Sequence, residues 1–218
     1  MRKLFTLTVI AVLAAFVLPV ALWAYPSALN LAPCADILGA NQLRIAYESD
    51  GHNQPYDDGN LEYIYTQIGI GGKFEFGVDF YDVRHASDKF FNAKYLVTAE
   101  KENTPAIAIG TRNISDVSKT SYYALGCKTY GKARLHFGGE TQDGVTTGIL
   151  GTDYLLAKGV SFLADYQSGQ THYSTAGVYW QATPAIGFNL YWARNNTSAL
   201  RDTYDYVGAY AAYTLTLK

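Results

Sequence analysis

Residues 73–81 read KFEFGVDFY. In an extended chain successive side chains point to opposite sides, so Phe74, Phe76, Val78 and Phe80 share one face. Glu75, Gly77, Asp79 and Tyr81 share the other. An apolar wall on one side and two carboxylates on the other describe a strand between an oily medium and a polar one. The pattern recurs along the chain. Leu43, Ile45 and Tyr47 oppose Gln42, Arg44, Ala46 and Glu48, and Leu135 and Phe137 oppose Arg134, His136 and Glu140. Val160, Phe162 and Ala164 oppose Ser161 and Asp165. Ile186, Phe188, Leu190 and Trp192 oppose Gly187, Asn189 and Tyr191. In the last segment Val207, Ala209, Ala211, Tyr213, Leu215 and Leu217 oppose Gly208, Tyr210, Thr214 and Thr216.

Twelve such segments follow in order: 41–49, 61–70, 73–81, 90–100, 104–112, 121–130, 133–141, 145–155, 160–166, 172–181, 184–193 and 205–217. Connections alternate between brief turns, such as Gly71-Gly72, Gly131-Lys132 and Lys158-Gly159, and mostly longer polar stretches such as 50–60 and 194–204. Tight periplasmic turns and longer external loops are the asymmetry of an up-and-down barrel in a bacterial outer membrane. The reading is therefore all-β: an antiparallel up-and-down transmembrane barrel of about 12 strands.

A soluble sandwich shows the same alternation. The aromatics discriminate. On the barrel assignment Tyr47, Phe80, Phe90, Phe91, Tyr122, Tyr123, Tyr166, Tyr173, Trp192 and Tyr206 fall near the external strand ends. Phe74, Tyr130, Tyr154, Tyr179 and Trp180 fall near the periplasmic ends. Two aromatic belts suit two membrane–water interfaces, whereas a sandwich core places large rings mid-strand. Segment 61–70 alone leaves its register open. A two-residue turn at Gly71-Gly72 would pair residues 69 and 74 and send Ile64 and Ile68 into the lumen; a longer turn would send them outward.

The N-terminus, with Arg2-Lys3, an apolar run from Leu4 to Leu18, Pro19 and small residues at Ala21 and Ala24, reads as a secretory signal over 1–24. The expected mature chain begins near Tyr25, with 25–40 a periplasmic N-terminal segment and 41–218 the barrel. The mean hydropathy of −0.06 does not oppose this, since inward polar residues dilute outward apolar ones. Removing Arg2 and Lys3 from 17 basic residues leaves 15 against 19 acidic ones, which disfavours nucleic acid. Cys34 and Cys127 stand far apart and read as two unpaired small apolar residues.

On these residues the chain resembles the small outer-membrane barrels of double-envelope bacteria, in the porin-like group. The resemblance covers 41–217 and is architectural. It implies insertion into outer-membrane lipid by the barrel-assembly machinery and passive passage of small polar solutes. One feature departs from it: such barrels usually end in an aromatic residue, and this chain ends Leu215-Thr216-Leu217-Lys218.

No catalytic constellation is legible. His85 with Ser87 and His172 with Ser174 read as polar loop residues, because Ser–His–acid catalysis needs three groups in mutual hydrogen-bond reach. Asp57-Asp58 with Glu62 lacks the spaced oxygen ligands of a calcium loop. No enzyme activity, metal or cofactor is expected. The informative chemistry is a mixed-sign lumen: Arg44, Lys94, Arg112, Lys128 and Arg134 with Glu48, Glu75, Asp79, Glu140, Asp153 and Asp165. Such charges must pair or meet water. They form either a hydrated, selective passage or a ladder of ion pairs closing a narrow barrel. The leading expectation is a porin-like channel; the alternatives are a non-conducting barrel presenting its loops to a partner and, last, a lipid hydrolase.

Overall fold

The computed structural model describes residues 28–52, 61–81, 83, 88–115 and 120–218. The expected signal over 1–24, Asp57-Asp58 and His85 with Ser87 lie outside the described residues. Twelve antiparallel strands among the described residues close a barrel in sequence order, β12 pairing with β1. They are β1 Gln42–His52, β2 Leu61–Ile70, β3 Phe74–Tyr81, β4 Asp88–Thr98, β5 Ala106–Arg112 and β6 Ser121–Tyr130. The second half comprises β7 Ala133–Gln142, β8 Val145–Ala157, β9 Val160–Gln167, β10 Tyr173–Gln181, β11 Ile186–Asn195 and β12 Tyr206–Thr216. Closure leaves no sheet edge with unpaired backbone groups, which a hydrocarbon environment demands.

Alternation of face holds around the wall. Along β11 exposed and buried residues alternate from Ile186 to Asn195 without a break. Ile45, Phe76, Ile109, Leu150, Val178 and Leu190 are exposed on the outer face. Phe74, Tyr130, Tyr154 and Trp180 ring it at the short-turn rim, and Phe91, Tyr122, Tyr166 and Trp192 lie toward the opposite rim, whereas Tyr47, expected there, stands mid-strand opposite Ala211. Phe90, Tyr123, Tyr179 and Tyr206, placed at strand ends by the sequence, turn inward and are buried.

The open register of β2 is settled by its turn. Ile70 pairs with Phe74, so three residues, Gly71, Gly72 and Lys73, make the connection. Both glycines take left-handed backbone angles, φ +59° and +66°, which residues with a Cβ rarely adopt. The extra residue flips the parity of the strand. Ile64 and Ile68 therefore face outward beside Phe80 and Phe76, while Tyr63 and Tyr65 join the lumen.

Residues 28–40 depart from the expected periplasmic segment. They enter the barrel from the short-turn rim and lie in its lumen. Leu29 N donates to Ala32 O at 2.9 Å, and Ala28 bridges to Pro33, making a tight reversal inside the wall. Ala32 and Ala35 pack against Ala106, Ala108, Leu125, Cys127 and Ile149. On the opposite side Leu29 and Cys34 pack against Leu163 and Tyr179, and Leu31 packs against Tyr191 and Tyr206. The barrel core is thus built partly from this insert.

Candidate functional site

An irregular segment inside a barrel brings backbone N–H and C=O groups that must find partners away from water. Lumen side chains supply them. Asp165 on β9 accepts from the backbone N–H of Asn30 (2.9 Å) and of Leu31 (3.3 Å). The Asn30 amide donates to Leu163 O and Thr175 Oγ1, while its oxygen accepts from Asn189. One insert residue thereby ties β9, β10 and β11 together. Glu75 on β3 accepts from Leu38 N at 2.9 Å.

The strongest clamp is ionic. Both carboxylate oxygens of Asp36 accept from Arg134 on β7, at 2.8 and 2.5 Å, a bidentate geometry that guanidinium and carboxylate planes favour. Burial by itself would push the Asp36 carboxyl up, but Arg134 outweighs it and holds the group below the usual carboxylate range. Arg134 also lies 3.6 Å from Asp153, which meets His136 at 2.9 Å. Lys94 donates to Asp36 O at 2.9 Å and stands 3.7 Å from Glu75.

The insert leaves space on one side of the lumen. A cavity of about 240 Å³ runs between residues 28–33 and the β1–β5 wall. All four inward positions of β3 line it: Glu75, Gly77, Asp79 and Tyr81. From Glu75 to Tyr81 this is about 20 Å at roughly 3.3 Å per residue. Glu48, Tyr65, Asn92, Lys94, Arg112 and Tyr123 complete the working surface. Glu48 accepts from Tyr65 (2.6 Å) and from the Tyr191 hydroxyl, which also lies 3.1 Å from Asp50. Asp79 accepts from Asn92 at 2.5 Å. Arg112 is held by both oxygens of Glu140, at 2.6 Å each.

Ten of the eleven lumen charges expected from sequence do face inward, and the cavity gathers five of them: Glu48, Glu75, Asp79, Lys94 and Arg112. Arg134 and Asp165 hold the insert, Glu140 holds Arg112, and Arg44 donates to Thr214. Lys128 is the correction. It pairs with outward Leu135, and its ammonium reaches back to the rim, to Glu100 at 3.4 Å and to the carbonyls of Lys101 and Glu102. A long cationic chain at a membrane edge snorkels in this way. The alternation of Tyr123, Leu125 and Cys127 already places Lys128 on the other face.

Asp36, Asn30, Thr175 and Asn189 were not singled out by sequence. One signal for them exists in the wall. A Cβ on Gly69 would stand 2.1 Å from Gly39 O, and one on Gly151 would stand 2.2 Å from the Leu29 side chain. Inward glycines opposite the insert record its close approach. Among hydrolytic candidates, His136 bonds Asp153 and His172 bonds Thr147 at 3.0 Å. No group of metal-ligating side chains is assembled among the described residues.

No protein-family model and no curated protein matches the sequence. Solved structures similar in fold include two of one porin. A KdgM porin in complex with disordered oligogalacturonate aligns at 11% identity and a TM-score of 0.54, covering 80% of this chain and 99% of that one. A second structure of the KdgM porin aligns at 12% identity and 0.52 over the same shares. At this identity the likeness establishes the architecture: a porin-like, closed antiparallel barrel of twelve strands.

Proposed function

We propose that this chain is a bacterial outer-membrane barrel, without enzymatic activity, that passes small polar solutes along the cavity beside β3. Membrane placement is supported by the outer face. Its apolar strand centres, from Ile45 round to Leu190, form a belt far larger than the few hundred Å² that soluble monomers expose. The two aromatic rims would meet lipid at the two interfaces. In this reading the barrel-assembly machinery inserts the chain with the short turns in the periplasm, and the long loops face outside.

The passage rests on one observation: a polar cavity follows the whole inward face of β3, beside the insert rather than beneath it. The fold neighbour is a porin in complex with oligogalacturonate, a polar solute, which supports this reading. Residues 28–40 narrow the bore to well below that of an empty twelve-stranded barrel. The insert also favours a second reading, a closed barrel in which the lumen charges serve only to seat it. Planar-bilayer recording of refolded protein separates the two. Small, discrete conductance steps in the full chain support the passage, and stable insertion without current at any voltage supports the closed barrel.

A further inference from the structure

We infer that the passage selects small cations over anions, and that Glu48 and Asp79 are its selectivity-determining residues; this rests on the passage reading above. Both cationic groups that line the cavity are neutralised locally. Arg112 is held by the two oxygens of Glu140 at 2.6 Å, and Lys94 faces Glu75 at 3.7 Å while donating to Asp36 O. The carboxylates of Glu48 and Asp79 have only neutral donors. Glu48 receives hydroxyls from Tyr65 and Tyr191. Asp79 receives the Asn92 amide at one oxygen, and its Oδ1 has no hydrogen-bond partner among the described residues.

Neutral donors orient a carboxylate without cancelling its charge. The two groups flank Tyr65, whose hydroxyl bonds Glu48 and whose backbone pairs with Asp79, so they stand on β1 and β3, about 10 Å apart across two strand spacings. A solute passing along β3 meets both. Arg134 is shared by Asp36 and Asp153, Asp165 is held by backbone amides, and Asp50 by the Tyr191 hydroxyl. Arg44 also faces the lumen, donating to Thr214, but does not itself line the cavity. A narrow, low-dielectric tube with this lining concentrates cations and excludes anions. The rings of Tyr65, Tyr81 and Tyr123 also line the cavity, and aromatic faces attract potassium or an organic ammonium.

The test is the reversal potential of refolded protein in a potassium chloride gradient at pH 8. Wild type should show a potassium-to-chloride permeability ratio of about 5 or more, falling roughly threefold or further in Glu48→Gln/Asp79→Asn. The ratio should shrink as salt rises from 0.1 to 1 M, where the screening length drops from about 10 to about 3 Å. Glu100→Gln, at an exposed turn outside the lumen, should leave it unchanged. Folding is checked by heat-dependent gel migration, and Asp79→Asn alone replaces the double variant if that fails to fold. Channels that conduct with a ratio of one or below overturn the selectivity and leave the passage standing. Cation preference that survives neutralisation of Asp79 and Glu48 overturns their assignment. Absence of current in folded, inserted wild type overturns passage and selectivity together.

Discussion

Replacing Asp36 by Asn removes the charge on which the luminal segment is clamped. In the wild type Arg134 bonds both carboxylate oxygens, and the two side chains are 13% and 20% exposed. Breaking a fully buried ion pair from one side costs about 3–5 kcal/mol. This pair is partly wet, and Arg134 retains Asp153 at 3.6 Å, so about 2–3 kcal/mol is the expected loss. At 1.4 kcal/mol per tenfold, the population with a released insert should rise by about 30- to 150-fold. The chain carries its own reporters. Cys127 on the wall is covered by Ala32 and Ala35, and Cys34 lies within the insert; both are buried and neither is in a disulfide. Burial, followed by the Asp36 charge, pushes the Cys34 thiol up, so it resists alkylation while seated. Cys127 in a Cys34→Ala background reports from the wall, where Arg134 also donates to its Sγ at 2.9 Å. Its labelling by a charged maleimide, in barrels shown to be folded by gel migration, should accelerate in proportion to release. Equal rates with and without the Asp36 charge would refute a clamp at this position.

Lowering the pH should free the insert by the same route: Asp36 titrates below its ordinary value when seated, so its contribution is complete above about pH 4 and disappears as pH falls through the seated value. Single-channel current should step up in that acid range and revert on neutralisation; a flat record from pH 7 to 2.5 contradicts it. Phe76→Arg puts a guanidinium on the lipid face and should cost about 2–4 kcal/mol, whereas Gln67→Glu, facing the cavity opposite Arg44, should cost far less. Comparable urea midpoints for the two would reverse the assignment of faces. A Cβ at Gly208 would stand 2.2 Å from the Tyr191 ring, so Gly208→Ala should displace Tyr191 from Glu48 and lose about 1–3 kcal/mol. Unchanged unfolding with an undisturbed tyrosine environment would show that the ring has room to yield.

Strand number, strand faces and the membrane-facing belt were legible in the amino-acid sequence because a strand repeats every two residues and a barrel wall has only two sides. Phe74 to Tyr81 reads in sequence as it stands in space, and so do β11 and β12. Strand parity also accounts for Lys128, which follows inward Cys127 and so stands on the outer face opposite Leu135 rather than in the lumen. The register of β2 needed the turn, since one additional residue at Lys73 exchanges its two faces. The insert was beyond sequence reasoning for a different reason. Residues 28–40 have no periodicity, and what holds them is contact with carboxylates, amides and a guanidinium from about 37 to 145 positions away, such as Glu75, Arg134, Asp165 and Thr175. Local pattern determines which side of a wall a residue occupies. Only closure of the barrel decides which lumen groups converge, because an irregular backbone inside it must satisfy its N–H and C=O groups wherever the facing strands offer partners.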